Sequence, residues 1–498
     1  MKLKLQLKKI KFKIDNLSLP VKASLAFMLC SFLQRGISTL TTPIFTRLLT
    51  TEQYGYYNIF NSWLEIISVF TTLKLAGSVF TQALVKFDKK KDELTSSTAG
   101  LGTLLTLISI GIYLIFQKQI NKFFGMSTLI MLCIFVASWA TLIFELWAAR
   151  QRVEYKYKDL VALTIFTSIA KPVLGIVAII CTPYHKAEAR IISLVLVELV
   201  SYIGLFILFF KKNKNLYNKE LWKYSLSLNI PLIPHYLTRT ILNQSDKIMI
   251  QWMIGFASVG IYGLAHNLAW MMTLVTTAIL NTLNPWLFQK IKSKKFKDIG
   301  NITIPILVSI AILCFILICI APELVEIFAP KSYYEAIWVI PPLVISVYFL
   351  FMYSLFSAFE FYYEKSGFLM IASTIGGILN IILNYIFIRK YGYIAAAYTT
   401  LFCYMFYAVA HYCCMKVIIK TNLNNVKVYK TKYILLITIL LFIISFMMMS
   451  IYEYKIMRYI ILLFITSIII IKRRFFTNLM KKINININKN NKEKLNES

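Results

Sequence analysis

Apolar residues dominate fourteen long stretches of this chain, and short polar segments separate them. Crossing a bilayer core of about 30 Å takes roughly 20 apolar residues in an α-helix. The pattern therefore predicts an all-α integral membrane protein with about fourteen transmembrane helices. The predicted spans cover residues 23–48, 57–84, 96–116, 127–149, 159–181, 190–210, 224–254, 258–288, 302–321, 334–362, 367–388, 393–417, 433–451 and 457–471.

Lysine and arginine are concentrated in every second gap between these stretches. Residues 211–223 contain five lysines, for example, whereas residues 49–56 contain neither lysine nor arginine. Cytoplasmic loops of membrane proteins carry this excess of positive charge, so the pattern predicts that both termini are cytoplasmic. The net charge of +32 is then explained by loops that face anionic lipid headgroups, and no nucleic-acid partner is expected.

The first twelve spans divide into two halves of six. Residues 48–57 align without gaps with residues 253–262, and each segment joins the first span of a half to its second. Internal repeats of this kind are common in transporters. The expected parts are a basic cytoplasmic N-terminus (1–22), an N-terminal six-helix bundle (23–210), a cytoplasmic linker (211–223), a C-terminal six-helix bundle (224–417), two additional helices (418–471) and a basic cytoplasmic tail (472–498).

Basic residues at membrane depth are the first candidates for function. On insertion scales each costs roughly 2.5–3.5 kcal/mol, so each is expected to face a wet cavity or a partner. Arg35 and Arg239 lie midway along the first span of each half. Two such arginines suit an anion, because guanidinium binds phosphate through paired hydrogen bonds. Lys74 and Lys171 are candidates to line the same cavity, and salt bridging between helices is the alternative for all four cations.

Other polar and helix-breaking residues within the spans form three further sets of candidates. Acidic residues are candidates for ion coupling and prolines for hinges, with helix packing as the alternative. Asparagines suit either sugar hydroxyls or helix–helix hydrogen bonds, and histidines suit either pH sensing or packing. The sets are Glu65, Glu145, Glu198, Asp246 and Glu360; Pro172, Pro231, Pro234, Pro341 and Pro342; and Asn229, Asn243, Asn380 and Asn384 with His235, His266 and His411.

The sequence does not suggest an enzyme. It contains no GxxxxGK[ST] phosphate loop, and its cysteine and histidine spacing matches no metal site. The longest predicted outside gap is about a dozen residues, too short for a catalytic domain. We therefore expect no enzymatic activity, no cofactor and no metal.

Residues 33–57 (LQRGISTLTTPIFTRLLTTEQYGYY), 229–262 (NIPLIPHYLTRTILNQSDKIMIQWMIGFASVGIY) and 360–400 (EFYYEKSGFLMIASTIGGILNIILNYIFIRKYGYIAAAYTT) carry a family resemblance. They resemble bacterial polysaccharide-repeat-unit flippases of the Wzx type, which belong to the multidrug/oligosaccharidyl-lipid/polysaccharide exporter superfamily. The resemblance implies two six-helix bundles around a central cavity that opens alternately to each face of the bacterial cytoplasmic membrane.

The resemblance also implies a substrate and partners. The implied substrate is an undecaprenyl-pyrophosphate-linked glycan, moved to the outer leaflet for O-antigen, capsule or other surface polysaccharide. The implied partners are membrane lipids, a polysaccharide polymerase and a chain-length regulator. Cationic cavity residues are typical of the family, and Arg35 and Arg239 match them by position, while Thr51 and Lys247 depart from the family pattern.

Two other transport functions remain open. A lipid II flippase handles similar chemistry, and only the family resemblance separates it from a repeat-unit flippase. A cation-coupled multidrug exporter of the same fold would need a cavity lined by carboxylates and aromatic rings. The excess of arginine and lysine at membrane depth argues against the exporter.

Overall fold

The computed structural model describes residues 18–423 and 426–471, and in these ranges the chain forms α-helices joined by short turns, with no β-strand. Eleven of the described helical segments are long and apolar enough to cross a membrane. The other three predicted spans are helical too, but Thr51–Thr72 and Ile233–Met253 are more polar and Lys455–Ile471 has 17 residues. The predicted all-α membrane fold is confirmed.

The chain forms two compact units. The first contains the described residues up to Gln251 together with Gly255–Gly260, and the second contains Trp252–Ile254 and the described residues from Ile261 onward. The predicted bundle boundaries stay a prediction. The helices, in chain order, are α1 Leu19–Leu48, α2 Thr51–Thr72, α3 Ser78–Lys86, α4 Lys91–Ile115, α5 Gln117–Phe124, α6 Thr128–Val153, α7 Tyr157–Cys181, α8 Lys186–Lys212, α9 Lys219–Asn229, α10 Ile233–Met253, α11 Phe256–Trp270, α12 Met272–Lys292, α13 Phe296–Cys319, α14 Ala321–Phe328, α15 Ala336–Tyr362, α16 Ser366–Tyr391, α17 Ile394–Asn422, α18 Thr431–Ser450 and α19 Lys455–Ile471.

Helix α8 holds the first unit together. It packs against α6 and α7, while α7 packs against α1 and α6 against α2. Near the start of α8 the guanidinium of Arg190 lies 3.6 Å from the ring centre of Phe45 and 3.5 Å from that of Tyr57. Cation–π contacts on both faces of the guanidinium therefore join α8 to α1 and α2.

Helix α15 is the core of the second unit. It packs against α17, which packs against α16, and most of its residues are buried. Fully buried side chains such as Tyr348, Phe351 and Phe359 fill this core. The apolar run of α15 is therefore explained by burial within protein as well as by the membrane.

Gly55 and Gly260 occupy equivalent positions in the predicted repeat, and both belong to the first unit. A Cβ atom on Gly55 would lie 1.8 Å from the carbonyl oxygen of Phe256, and one on Gly260 would lie 2.1 Å from that of Thr51. Thr51 and Phe256 are themselves equivalent, and each begins a helix. The repeat thus coincides with a reciprocal backbone contact that only glycine admits.

We expect Gly55→Ala and Gly260→Ala each to lower the stability of the purified protein, because backbone must shift to admit the new methyl group. Overpacking of this kind costs about 1–3 kcal/mol. Thermal unfolding in detergent measures the effect. Gly111→Ala is the matched control, since a Cβ there meets no atom within 4 Å and alanine favours the helix. Equal unfolding midpoints for Gly55→Ala and Gly111→Ala would contradict the close contact.

Arg458, which interrupts the apolar pattern at the start of α19, is buried and has a partly buried ionic partner. Its Nη1 donates to Oε2 of Glu323 at 2.7 Å and to the carbonyl oxygen of Cys319 at 3.0 Å. Burial alone would raise the pKa of Glu323, but the hydrogen bond and positive charge of Arg458 hold that pKa below its ordinary value. An ion pair therefore joins α19 to α14.

We expect Arg458→Ala to release α19, because it leaves Glu323 partly buried without its cation. Acid should have a similar effect on the wild type. Since the folded pKa of Glu323 is depressed, its contribution is present above the unfolded value of about 4.3 and is lost as pH falls through the lower folded value. Hydrogen exchange over residues 455–471 measures both effects, with the exposed Lys455→Ala as control. Unchanged exchange in Arg458→Ala would count against the ion pair.

Candidate functional site

A cavity of about 590 Å³ lies within the first unit. We call it the first-unit cavity. Most of its lining is contributed by α6, α7, α8 and the segment around the start of α3, with one residue each from α1 and α10. The lining residues are Gln34, Lys74, Ala76, Gly77, Ser78, Thr141, Phe144, Glu145, Ala148, Arg152, Lys171, Glu198, Tyr202 and Tyr236.

Five charged side chains line the first-unit cavity, three of them basic. They are Lys74, Arg152 and Lys171 against Glu145 and Glu198. Lys171 donates to Oε1 of Glu198 at 2.5 Å, and the Glu198 side chain is 9% exposed. Glu198 therefore neutralises Lys171 through a direct ion pair. The remaining charged groups, Lys74, Arg152 and Glu145, leave one positive charge in excess.

The predicted second span, 57–84, is not one continuous helix. Helix α2 ends at Thr72 and α3 begins at Ser78. Between them Leu73 and Lys74 adopt left-handed backbone, with φ of 47° and 49°. Non-helical backbone at membrane depth is tolerated where it lines a cavity or is buried in protein. Here it places Lys74 in the cavity.

Hydrogen bonds within the first unit stabilise the non-helical segment between α2 and α3. The Lys74 ammonium donates to the Ser68 hydroxyl at 3.0 Å, and the backbone N–H of Gly77 donates to the Lys74 carbonyl at 2.9 Å. A Cβ on Gly77 would lie 3.4 Å from the Tyr236 hydroxyl. The left-handed conformation of non-glycine residues is strained, and such strain persists where surrounding contacts fix it.

Aromatic rings form one wall of the first-unit cavity. Phe144 and Tyr202 stack with ring centres 4.8 Å apart and an interplanar angle of 22°, and Tyr236 lines the cavity from α10. Tyr202 is almost fully buried, so Phe144 and Tyr236 present the accessible ring surface. Flat apolar surface beside charged groups suits a ligand with both sugar-like and ionic parts.

Neither of the two predicted arginines is among the residues that line the first-unit cavity. Arg35 lies on α1 and is exposed, and the cavity lining described above includes its neighbour Gln34 instead. Successive helical residues point about 100° apart, so both cannot face the same cavity directly. Arg239 lies on α10, three residues after Tyr236, but its side chain lies outside the described residues. The arginine pair stays a prediction.

The acidic candidates fall into three groups. Glu145 and Glu198 line the first-unit cavity. Glu65 accepts a 2.7 Å hydrogen bond from Gln244 on α10, beside the buried residues Asp246 and Lys247. Glu360 lies in the second unit and contacts His411. The structure therefore distributes these carboxylates over several places.

The remaining polar and proline candidates mostly join or shape helices. Asn384 accepts a hydrogen bond from Thr399 and donates to Asn380 at 3.2 Å, joining α16 to α17. This matches the helix-joining alternative. Buried Asn229 donates to the carbonyl oxygen of Ser225 at 2.9 Å. The prolines lie within α7 (Pro172), within α15 (Pro341 and Pro342), in the 3₁₀ turn between α9 and α10 (Pro231) and at the start of α10 (Pro234).

Comparison with known proteins decides the family. A family model described as "Polysaccharide biosynthesis protein" matches residues 21–291, more than half of the chain. The chain belongs to this family. A relative in Haemophilus influenzae, described as an uncharacterized membrane protein, is 22% identical over 331 residues, which cover 63% of this chain and 74% of the relative.

Solved structures show which fold this chain has. The lipid II flippase MurJ in an inward closed conformation matches with a TM-score of 0.66 at 16% identity, covering 91% of this chain and 100% of that chain. An inward-facing multidrug resistance transporter of the MATE family, in the MOP superfamily, matches with a TM-score of 0.54 at 14% identity, covering 78% of this chain and 96% of that chain. The predicted superfamily fold is confirmed.

The sequence contains a signal for part of the site. Thr141, Glu145, Ala148 and Arg152 follow one another at intervals of four, three and four residues, which places them on one face of α6. Arg152 lies beyond the predicted span 127–149, and this helical spacing is the feature of the sequence that identifies it.

We expect Lys171→Met and Glu198→Gln each to destabilise the protein, because each leaves the other partner without its counter-charge. The loss should be below the about 3–5 kcal/mol of a fully buried pair, since Lys171 is partly exposed. The double variant should recover part of the loss in thermal unfolding. Lys118→Met, on an exposed lysine of α5, is the control. Strictly additive effects would show that the ion pair contributes no coupling.

Proposed function

We propose that the protein is a flippase that moves undecaprenyl-pyrophosphate-linked oligosaccharide repeat units across the bacterial cytoplasmic membrane by alternating access. The observation that carries this proposal is the first-unit cavity, in which Lys74 and Arg152 accompany the Lys171–Glu198 pair beside a break in a membrane helix. Membership of a polysaccharide biosynthesis family supports a glycan substrate.

The chemistry of the substrate fits the chemistry of the cavity. A pyrophosphate carries negative charge that hydrocarbon cannot solvate, and sugar hydroxyls lose their hydrogen bonds there. Lys74 and Arg152 supply charge-assisted donors. Phe144 and Tyr236 supply ring surface against which a sugar can pack. The cavity volume lies within the roughly 300–1,000 Å³ of typical ligand pockets, so it suits the pyrophosphate and nearby sugars, while the lipid tail stays in the bilayer.

Arg35 and Arg239 remain part of the proposal as anion ligands of a different conformation. Both lie on helices that contribute a neighbouring residue to the first-unit cavity, Gln34 and Tyr236. A rotation of α1 by roughly 100°, the angle between successive helical residues, would turn Arg35 towards it. In the present arrangement of this cavity, Lys74 and Arg152 are the proposed anion ligands.

Complementation tests the proposal. A bacterium lacking its own repeat-unit flippase, but supplied with the glycan pathway that matches this protein, should regain surface polysaccharide. Lys74→Ala and Arg152→Ala should lower the polymer about tenfold or more, equivalent to about 1.4 kcal/mol of lost anion binding or greater. Lys118→Ala should not, because Lys118 is an exposed cation outside the cavity. Membrane abundance of each variant is measured alongside.

The same variants separate the proposal from its rivals. Rescue of a strain depleted of its lipid II flippase, without restored polysaccharide, would favour the lipid II alternative. Resistance to cationic drugs that requires Glu145 and Glu198 would favour a multidrug exporter. Polymer restored equally by wild type, Lys74→Ala and Arg152→Ala would keep the flippase and exclude this cavity as its anion site.

A further inference from the structure

Glu360 and His411 form an isolated pair inside the second unit. Nδ1 of His411 lies 2.7 Å from Oε1 of Glu360, and both side chains are 0% exposed. Glu360 belongs to α15 and His411 to α17, the two helices that pack most closely in this unit. Charged side chains are almost never fully buried unless they are paired, and here a carboxylate and an imidazole are buried as a pair.

Three aromatic rings surround the imidazole of His411. The ring of Tyr353 meets it edge to face at 4.6 Å between centres, Phe368 does so at 5.8 Å, and Tyr407 lies parallel to it at 6.1 Å. These rings form an apolar cage around the imidazole. The Glu360 carboxylate is therefore the group placed to share a proton with His411.

Each member of the pair keeps one atom free to take part in proton exchange. Among the residues that the structure describes, Oε2 of Glu360 and Nε2 of His411 have no hydrogen-bond partner. The other titratable groups that face the pair are the thiol of Cys414 and the phenols of Tyr353 and Tyr407. Thiols and phenols ordinarily stay neutral near pH 7, so they do not compensate a change of charge on the pair.

The pair lies close to one end of α15. Glu360 lies in the last turn of α15, where its carbonyl oxygen accepts a 2.8 Å hydrogen bond from the backbone N–H of Lys365 in the following turn. That turn lies in a predicted cytoplasmic gap, and α16 begins immediately after it. A small opening of the helix end would connect the pair with cytoplasmic water.

We propose that Glu360 and His411 form a proton-exchange site through which cytoplasmic pH controls the packing of α15, α16 and α17. With one proton the pair is neutral and its aromatic cage is closed. Loss of that proton to cytoplasmic water leaves a buried carboxylate without a counter-charge, which is costly. The closed state therefore binds more protons than the open state and weakens as pH rises. This proposal is independent of the identity of the transported substrate.

Magnetic resonance of ring-labelled histidine tests proton binding directly in the purified full-length protein. The chain contains four histidines, and loss of one signal in His411→Gln assigns His411. We expect the His411 signal to titrate between about pH 5 and 9 and to change its midpoint in Glu360→Gln. His185, which is exposed and 3.1 Å from Glu188, provides the reference, and its signal should be unaffected by Glu360→Gln. A His411 signal that stays constant over this range would overturn the proposal.

Hydrogen exchange tests the effect on packing. After correction for the intrinsic pH dependence of amide exchange, residues 336–362 and 394–422 should exchange faster as pH rises, by up to about tenfold per pH unit, the limit for one linked proton. Glu360→Gln and His411→Gln should remove this dependence, and His185→Gln should keep it. If either single variant does not fold, the double variant Glu360→Gln/His411→Gln replaces it. The double variant leaves no buried charge at these two positions. If the pair were purely structural, these substitutions would leave the pH dependence of exchange unchanged. A pH dependence that persists in these variants would therefore overturn the proposal.

Discussion

The low polarity of the membrane interior is the constraint on which the rest of this structure depends. A charge in that environment is tolerated when it has a partner, a face of aromatic rings or contact with water. Lys171 has Glu198, Arg458 has Glu323, and Arg190 lies between aromatic rings. Each of these three contacts also joins different helices. The contacts that satisfy the charges therefore also assemble the fold.

The same constraint separates structural charges from functional ones. A pair such as Arg458 with Glu323 is compact, and its geometry leaves no room for a ligand. Lys74 and Arg152, in contrast, line an open cavity, and Lys74 is held by irregular backbone. A strained conformation at a cavity wall is the type of feature that packing alone does not require. Charge that is kept accessible, at some conformational cost, is the stronger candidate for binding.

Much of the fold could be predicted from the sequence because hydrophobic length and charge asymmetry are local properties. The predicted spans 127–149 and 334–362 follow directly from apolar runs, and each matches one helix, whereas the predicted span 57–84 is divided between α2 and α3. The fold implied by the family resemblance agrees with the solved structures. The break after Thr72 could not be predicted in this way, since no proline marks it and the two residues with left-handed backbone, Leu73 and Lys74, are not glycines.

The site was harder to predict than the fold because depth along a span does not fix the direction of a side chain. Arg35 and Gln34 lie at the same depth, but the residue that lines the cavity is Gln34. Arg152 lies beyond the predicted span 127–149, although its helical spacing from Glu145 places both on the cavity face. Periodicity within a span is therefore more informative about a transport site than the mere presence of a charge.

The balance of charges in the first-unit cavity explains how an anion could be bound and still be released. Lys171 is neutralised by Glu198, so Glu145 is the carboxylate that faces Lys74 and Arg152 without a direct ion pair of its own among the described contacts. Under the proposed function, a pyrophosphate would take over these two cations from Glu145 rather than meet them uncompensated. Because Glu145 already satisfies these cations in part, the net gain on binding is limited. A transporter needs this property, since a site that binds too tightly cannot release its substrate.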